Sequence, residues 1–412
     1  MLQAGCGILG QLLAADPGFR GTRVPCGNGH EAEFIAYRDK VIDTVLGPVA
    51  LTRAWYHCAA CKHGFAPRDA ELGVAGTSLS PRLAAMNDIA AAAGPFAKAA
   101  GLLEDLAGVQ LTVKRVERAA EASGAAQSAA VRERTALIAG RKLVPLPPSP
   151  LADMLYGAID GTGVTMTAKE TAGRGGKGED GRARTREVKL AVFFTQDDVD
   201  EKGYPVRDRD SASYIATFEP ASVFGGMVKA EGIRRGADHV RQLTILGDGA
   251  AWIWAIATDK FPEATQIVDL FHAREHLNDL ARQLEFMLLD RKDQWLAARL
   301  EDLDYGDIDG IVAATREYPL AGIKKDEIDT ALGYFEHNAH RMRYKWFRSR
   351  GLFTGSGVVE SGCKAVIGQR LKLSGMRWTV TGADAIATLR CQQASRPEDR
   401  ICLARHNQTV PA

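Results

Sequence analysis

The sequence predicts an α/β protein in which a mixed sheet with flanking helices is joined to a helical insertion. Three observations support this fold class. Strand-like and helix-like stretches alternate between residues 151 and 270, residues 271–350 have a mainly helical pattern, and residues 21–75 combine β-rich stretches with paired cysteines. The chain has 412 residues, which is too long for one small core and is typical of about two to four domains.

The β-rich region at 21–75 has the ligand types and spacing of a metal site. Two short ligand pairs bracket a predicted hairpin, and the second pair begins 28 residues after the first ends. The four residues are Cys26, His30, Cys58 and Cys61. Thiolate and imidazole ligands in this pattern satisfy tetrahedral Zn²⁺, and a domain this small needs a stabilising crosslink. We therefore predict a zinc-ribbon-like domain with one structural Zn²⁺, for which His63 is a competing ligand.

Residues 1–20 predict a loose N-terminal tail, whereas residues 76–145 predict a helical segment. The expected helices span 81–93, 95–106 and 112–122, and residues 126–150 are expected to form a linker with a proline-rich end. The third helix, with Thr112 as its N-cap, bears three outward-facing cations, Lys114, Arg115 and Arg118. A short break followed by a basic helix favours a helix-turn-helix DNA-binding segment, and a plain helical bundle fits the pattern equally well.

The core region at 146–270 predicts five strands and two helices. The strands span 154–160, 186–195, 211–218, 242–247 and 264–269, and the helices span 220–236 and 249–260. Asp160 ends the first strand pattern and Asp248 ends the fourth, and the glycine after each leaves room for a ligand. Because sheet proteins tend to place ligand sites at the carboxyl ends of strands, we expect a site there. A glycine-rich stretch at 173–181 predicts a mobile hairpin tip that can lie along a phosphate backbone.

The last part of the core, residues 351–412, predicts a basic DNA-contacting surface around Glu360. From Arg341 to Arg405 there are 13 Lys and Arg against 4 Asp and Glu, a net of +9, whereas residues 283–330 carry 6 against 12, a net of −6. This asymmetry indicates a polyanionic partner at the C-terminal end. The residues expected to contact DNA there are Lys364, Arg370, Lys372, Arg377 and Trp378.

Two strand-end aspartates and a distant glutamate are the ligand types of a two-metal phosphoryl-transfer site. Mg²⁺ takes oxygen ligands, usually one or two carboxylates plus waters and substrate phosphates. Two such ions roughly 3.5–4 Å apart can activate the attacking oxygen and stabilise the leaving one. Asp160, Asp248 and Glu360 are therefore candidate ligands of two Mg²⁺ or Mn²⁺ ions. Outside both predicted metal sites, ordinary buried thiols are expected at Cys363, Cys391 and Cys402.

The motifs around these carboxylates resemble those of the Kra-type bacterial insertion-sequence transposases. The matching stretches extend over nearly the whole chain and include 160–162, 186–190, 247–254, 266–273, 355–364 and 374–378. That family is similar to DDE transposases, whose catalytic fold is ribonuclease-H-like, and the expected strand order agrees with that fold. By this resemblance, Asp160, Asp248 and Glu360 match the catalytic triad. Asp269 and His272 match an Asp-x-x-His element of Mutator and hAT relatives, which makes His272 a further catalytic candidate.

The resemblance implies an enzyme that cuts the ends of an insertion sequence and joins them to target DNA by two-metal phosphoryl transfer. Its implied partners are double-stranded DNA, as terminal inverted repeats and as target, and further copies of the chain in the DNA complex. No stretch of the sequence has the apolar length needed to span a bilayer, so we expect no membrane partner. The expected location is the bacterial cytoplasm, in association with the nucleoid.

Two other functions stay open from the sequence. A non-catalytic DNA-binding protein derived from a transposase would keep the basic surfaces without cleaving DNA. His272, Glu275 and His276 form the inverted zinc-protease motif H-x-x-E-H, and its histidines share one helix face. A carboxylate ligand on a downstream helix, with no role for Asp160 or Glu360, would favour the protease. Metal-dependent DNA cleavage would favour the transposase over both.

Overall fold

The computed structural model describes residues 2–176, 181–196, 198–319, 322–355 and 357–396. Its contacts divide the chain into two compact units, with the boundary between Gln127 and Ser128. Unit 1 contains a four-stranded antiparallel sheet and unit 2 a five-stranded mixed sheet, both with helices. The predicted α/β class is therefore confirmed. The finer division into six segments remains a prediction.

Unit 1 begins with a helix and continues into its sheet. The elements are α1 (Leu2–Ala14), β1 (Arg23–Pro25), β2 (Glu31–Thr44), β3 (Gly47–Cys58) and β4 (His63–Phe65), and the strands pair in chain order. The predicted loose tail is thus wrong over α1. Leu13 of that helix packs against the buried Ile42 and Leu51 of the sheet, and such tertiary burial outweighs the weak local signal of a glycine-containing segment.

The rest of unit 1 is helical. Its helices are α2 (Pro67–Glu71), α3 (Pro81–Ala93), α4 (Phe96–Ala107) and the start of α5 (Val113–Ala139). The first two predicted helices are confirmed as α3 and α4. Thr112 Oγ1 accepts the backbone N–H of Arg115 at 3.3 Å, as expected of an N-cap. The third helix is 27 residues long, so the predicted linker at 126–150 begins only after Ala139. Buried Val131 and Ile138 continue the apolar face of α5 into that stretch.

Replacing Asp88 by Asn is expected to stabilise unit 1 at neutral pH by on the order of 2 kcal/mol. Burial raises the pKa of Asp88 to about 6 even though the Ser123 hydroxyl donates to its carboxylate. The folded state therefore binds the proton more tightly than the unfolded state. The destabilisation is absent below about pH 4, develops as the pH rises through the folded pKa, and is constant above it.

Urea unfolding of wild-type and Asp88→Asn protein from pH 4 to pH 8 measures this difference, with the exposed Asp105→Asn as control. A difference in the free energy of unfolding that stays the same at every pH would contradict the titration and leave only a packing effect.

Unit 2 is built on the five-stranded sheet. Its strands are β5 (Met154–Thr165), β6 (Thr185–Gln196), β9 (Ser213–Thr217), β10 (Gln242–Gly247) and β11 (Thr265–Val268), and β7 (Asp198–Val199) pairs with β8 (Pro205–Val206) in a separate ribbon. The order across the sheet is β11-β10-β5-β6-β9. β5, β6 and β9 are antiparallel neighbours, whereas β10 and β11 run parallel to β5. All five predicted strands are confirmed. Of the predicted hairpin tip at 173–181, residues 177–180 lie outside the described residues.

Helices lie between and after these strands, and they fill most of residues 271–350, as predicted. They are α6 (Ala168–Thr171), α7 (Ala221–Arg234), α8 (Ala251–Lys260), α9 (Leu270–Gln283), α10 (Glu285–Leu288), α11 (Lys292–Tyr305), α12 (Ile308–Arg316), α13 (Gly322–Asn338), α14 (Tyr344–Ser349), α15 (Gly357–Gly362), α16 (Gln369–Leu371) and α17 (Val380–Ala394). A π-helical turn (Cys363–Gly368) joins α15 to α16. Within the described part of the chain, every helix is too short or too polar to cross a lipid bilayer.

Candidate active site and metal centres

The parallel registers of β5, β10 and β11 bring three aspartates to one level at the carboxyl edge of these strands. β10 pairs with β5 up to Leu246, which lies opposite Ala158. Two residues further along each chain, Asp248 follows at the level of Asp160. Asp269 continues the row, because its backbone N–H donates to the carbonyl of the last β10 residue at 2.8 Å. Neighbouring strands are about 4.8 Å apart, so the three carboxylates share one edge.

The sequence pattern predicted that Asp160 ends its strand, and this prediction is wrong. β5 continues to Thr165 because its other neighbour, β6, extends further than β10 and pairs with it along the whole length. Asp160 thus lies where β5 loses its partner on one side only. Its Oδ1 accepts the backbone N–H of Gly161 at 2.6 Å. The side chain is fixed at an open edge while the backbone behind it remains in the sheet.

Asp248 is held by the turn that leads into α8. Its Oδ1 accepts the backbone N–H of Ala250 at 2.9 Å, and Tyr334 Oη donates to its carbonyl at 3.2 Å. Gly249 has φ +98°, and a Cβ there would lie 2.5 Å from the Tyr334 ring. The glycine was expected to leave room for a ligand. In the structure a left-handed backbone and the Tyr334 ring require it.

Asp269 and His272 lie where β11 turns into α9. Asp269 is fully buried and caps the helix, since its Oδ1 accepts the backbone N–H of His272 at 2.8 Å. On the imidazole of His272, Nδ1 lies 3.2 Å from Glu275 Oε2 and Nε2 lies 3.9 Å from Glu360 Oε1. A carboxylate on Nδ1 fixes the ring and directs Nε2 toward the site, the arrangement that metal-bound histidines commonly have.

Glu360 enters the site from α15, which packs against β5 and β6. In the following π-helical turn, the buried thiol of Cys363 donates to the carboxylate of Asp160. This bond ties the turn after Glu360 to β5. Cys363 is buried, as predicted, and so is Cys391, whereas Cys402 lies outside the described residues. The contact of Cys363 with the aspartate has no signal in the sequence.

The local electrostatics favour a cation. Burial, with a contribution from the negative charge of Asp248, raises the pKa of Asp160. The Cys363 hydrogen bond, the Gly161 N–H and the charge of His272 act in the opposite direction without cancelling that rise. Burial and the neighbouring carboxylate make the ionised form of Asp160 costly, and a divalent ion bound in the cluster would stabilise that form.

One group in this cluster has metal-ligand spacing. Ligand atoms of Asp269, His272 and Glu360 all lie within 4.8 Å of one another. Asp160 and Asp248 lie beside this group. The charge of Asp248 raises the pKa of Asp160, and the charge of His272 lowers it. Asp160, Asp248 and Glu360 do not themselves form a group with metal-ligand spacing among the described residues, and Asp160 and Asp248 lie at the edge of the sheet next to the group that contains Glu360. Asp269 was predicted only as part of a motif, and its closeness to Glu360 was not foreseen.

The inverted protease motif does not form a metal site in the described part of the chain. The ring of His276 stacks on Tyr334, with 3.8 Å between ring centroids. Its imidazole is therefore occupied by packing, and burial lowers its pKa. His272 groups with Asp269 and Glu360 instead, so this geometry disfavours the zinc protease alternative.

The four predicted zinc ligands converge in unit 1. Ligand atoms of Cys26, His30, Cys58 and Cys61 lie within 4.8 Å of one another, and this group could bind a structural zinc ion. His30 Nδ1 lies 3.2 Å from Cys61 Sγ. The backbone N–H of Asn28 lowers the pKa of Cys26 to about 6, which favours the thiolate that zinc requires. His63, the competing ligand, stacks on Phe65 and is not in the group.

The predicted DNA-contacting residues of unit 2 divide into exposed and buried ones. Lys364, Lys372 and Arg377 are exposed, and the Lys364 ammonium lies 3.9 Å from Glu360. Arg370 and Trp378 are buried, which contradicts their prediction as surface contacts. The guanidinium of Arg370 lies 4.9 Å from the Trp378 ring centroid, and the indole donates to the carbonyl of Leu371 at 3.0 Å. Arg370 and Trp378 therefore pack against each other at the end of α16.

The cations predicted on α5 also differ in their surroundings. Arg118 is exposed, and Lys114 pairs with Glu117 at 2.9 Å. Arg115 bridges to Asp43 of β2 and donates to Ser78 Oγ. It therefore links the helix to the sheet, and DNA contact by Lys114 and Arg118 remains a prediction.

Comparison with models of known protein families and with curated protein sequences gave no match for this chain.

Proposed function

We propose that this protein is a DNA transposase that cuts the ends of an insertion sequence and joins them to target DNA by metal-dependent phosphoryl transfer. The observation that carries this proposal is the placement of Asp160 and Asp248 at one edge of the five-stranded sheet, next to the group formed by Asp269, His272 and Glu360. These residues are 200 positions apart at the extremes. A set of carboxylates with one imidazole at a strand edge suits the binding of divalent ions and phosphates.

The topology supports the same proposal. An antiparallel trio of strands in chain order, followed by two strands parallel to the first, agrees with the ribonuclease-H-like fold that the resemblance implies. The helical stretch between Asp248 and Glu360 corresponds to the insertion expected there.

Carboxylates at a partly buried edge suit Mg²⁺ or Mn²⁺, and ligand atoms of Asp269, His272 and Glu360 have the spacing that one ion needs. Asp160, Asp248 and Glu360 would hold the ions, with Asp269 and His272 completing the set. Bound there, the ions would lower the pKa of the attacking water and neutralise charge on the phosphoryl oxygens. The imidazole of His272 has Nδ1 beside Glu275 and Nε2 facing Glu360.

The exposed cations beside the site position DNA. Lys372 bonds to Thr162 Oγ1, two residues beyond Asp160, and therefore places a positive charge next to the carboxylates. Phosphates on either side of the scissile bond would be neutralised by Lys364, Lys372 and Arg377.

The proposal is tested with DNA that carries the sequences flanking the gene. Incubation with Mg²⁺ or Mn²⁺ should give strand cleavage with 3′-hydroxyl ends at inverted repeats. Specific binding to the same DNA with no cleavage under any divalent ion would favour the non-catalytic DNA-binding protein instead.

Replacing Lys372 and Arg377 together by Ala is expected to weaken duplex binding and flatten its salt dependence. Each lost phosphate contact lowers the slope of log affinity against log salt by about 0.9, so the pair should lower it by about 1.8. Fluorescence anisotropy titrations at several salt concentrations measure the slope. Lys324→Ala/Lys325→Ala removes two exposed, ion-paired cations from α13 and serves as control. An equal slope change in both variants would contradict a local DNA contact.

A further inference from the structure

The segment around α14 alternates between anchored and exposed side chains. Met342, Tyr344 and Phe347 are fully buried. The exposed side chains between and after them include Arg343, Lys345, Trp346 and Arg350. These four residues form the α14 surface. The buried residues hold the backbone in place while three cations and an indole face solvent.

The cations of the α14 surface are not neutralised internally. Within the described ranges, no carboxylate lies at ion-pair distance from Arg343, Lys345 or Arg350, whereas the neighbouring Arg348 lies 3.8 Å from Asp304. The Arg343 guanidinium instead donates to the carbonyl of the preceding turn at 3.2 Å. Like charges at this density repel one another unless an anion joins them, which makes the surface suited to a polyanion.

Aromatic rings are interleaved with these charges. The guanidinium carbons of Arg343 and Arg350 lie 4.6 and 4.5 Å from the Trp346 ring centroid. Lys345 Nζ lies 4.4 Å from the centroid of the Tyr305 ring, which is 64% exposed. Indole and guanidinium planes both stack on nucleobases. Such stacking requires an open base face, which a duplex does not offer because its bases already stack on each other.

The segment that carries the α14 surface is anchored at the end of β11, where Asp269 lies. Tyr344 Oη donates at 3.1 Å to the carbonyl of Val268, the residue before Asp269. Further along the same segment, the carbonyl of Thr354 accepts the backbone N–H of Leu270 at 2.9 Å. The segment that carries the α14 surface is therefore hydrogen-bonded to the residues just before and just after Asp269.

We propose that the α14 surface binds an unpaired DNA strand, with phosphates on Lys345 and on the edges of the Arg343 and Arg350 guanidiniums, and with a base stacked on the layer that these guanidiniums form with the Trp346 ring. The role of this strand as the substrate end beside the carboxylates rests on the proposed function. Binding of single-stranded DNA by the surface does not depend on it.

Anisotropy titration of the full chain with a labelled oligothymidylate of about 20 nucleotides, without added Mg²⁺ or Mn²⁺, tests the proposal. Arg343→Ala/Arg350→Ala should weaken binding about 10-fold or more and lower the salt slope by about 1.4, at about 0.7 per phosphate contact for a single strand. Trp346→Ala should weaken binding on the order of 10-fold with little change in slope, and Trp346→Phe should restore most of it. The Lys324→Ala/Lys325→Ala control should bind like wild type.

Two results would overturn the proposal. One is single-strand affinity that the α14 variants change no more than the lysine control does. The other is competition by polyglutamate as effective as that by the unlabelled oligothymidylate, which would reveal a general polyanion site.

The proposed function and the α14 surface are tested independently of each other. Loss of binding in Trp346→Ala without any DNA cleavage by wild type would support the α14 surface and reject the transposase. Cleavage by wild type with unchanged single-strand binding in Trp346→Ala would support the transposase and reject the α14 surface.

Discussion

Glu360→Gln, Asp160→Asn and Asp248→Asn are each expected to reduce metal-dependent strand cleavage by on the order of 10³-fold or more. Each change removes one carboxylate, from α15, from β5 or from the residue that follows β10. The amide keeps the shape but loses the negative charge that a divalent ion requires. Binding to duplex DNA should remain within about 3-fold of wild type, because it depends on cations such as Lys372 and Arg377.

The same variants allow loss of chemistry to be told apart from loss of folding. Because burial raises the pKa of Asp160, Asp160→Asn should leave the metal-free protein at least as stable as wild type. Addition of Mn²⁺ should raise the melting temperature of wild type and raise that of the variant less. The exposed Glu285→Gln on α10 is the control, with wild-type cleavage and an unchanged metal response. Near wild-type cleavage by Glu360→Gln in Mg²⁺ would mean that the ligands are assigned wrongly.

The sheet of unit 2 was predictable because its strands are buried on both faces. β6 carries seven consecutive buried residues from Val188 to Phe194, and such runs bounded by polar stretches are typical of central strands. α1 and the full length of α5 were not predictable. Leu13 of α1 packs against Ile42 and Leu51, which lie far away in sequence, and Ile138 near the end of α5 is buried although it lies in a stretch predicted as a linker.

The carboxylates of the site were found from motifs, but their surroundings were not. The thiol of Cys363 on Asp160 and the ring of Tyr334 against Gly249 join residues 203 and 85 positions apart, and no local pattern encodes such contacts. The DNA-binding set was partly wrong for a related reason. A π-helical turn between Glu360 and Arg370 changes the helical phase, so the face on which Arg370 lies could not be extrapolated from an α-helical period.

Cys58→Ser is expected to abolish zinc binding and to unfold the β-sheet of unit 1. Cys58 is fully buried among Tyr56, Ala54 and Val24, so the metal and the small core beneath it stabilise the same strands. Structural zinc contributes about 10 kcal/mol or more in small domains of this kind, which exceeds the stability that so small a core supplies alone. Elemental analysis of purified protein should give one zinc per wild-type chain and none in the variant, with an early unfolding transition in calorimetry.

His30→Ala and His63→Ala form the matched pair for this prediction. His30 Nδ1 lies beside Cys61 Sγ, whereas His63, only two positions from Cys61, stacks on Phe65. His30→Ala should bind zinc more weakly and lose it to a chelator at lower concentration, because a three-ligand site with a water holds the ion less tightly. His63→Ala should retain zinc and the wild-type melting profile. The opposite result, with zinc retained by His30→Ala and lost by His63→Ala, would transfer the fourth ligand to His63 and require the β3–β4 turn to rearrange around the ion.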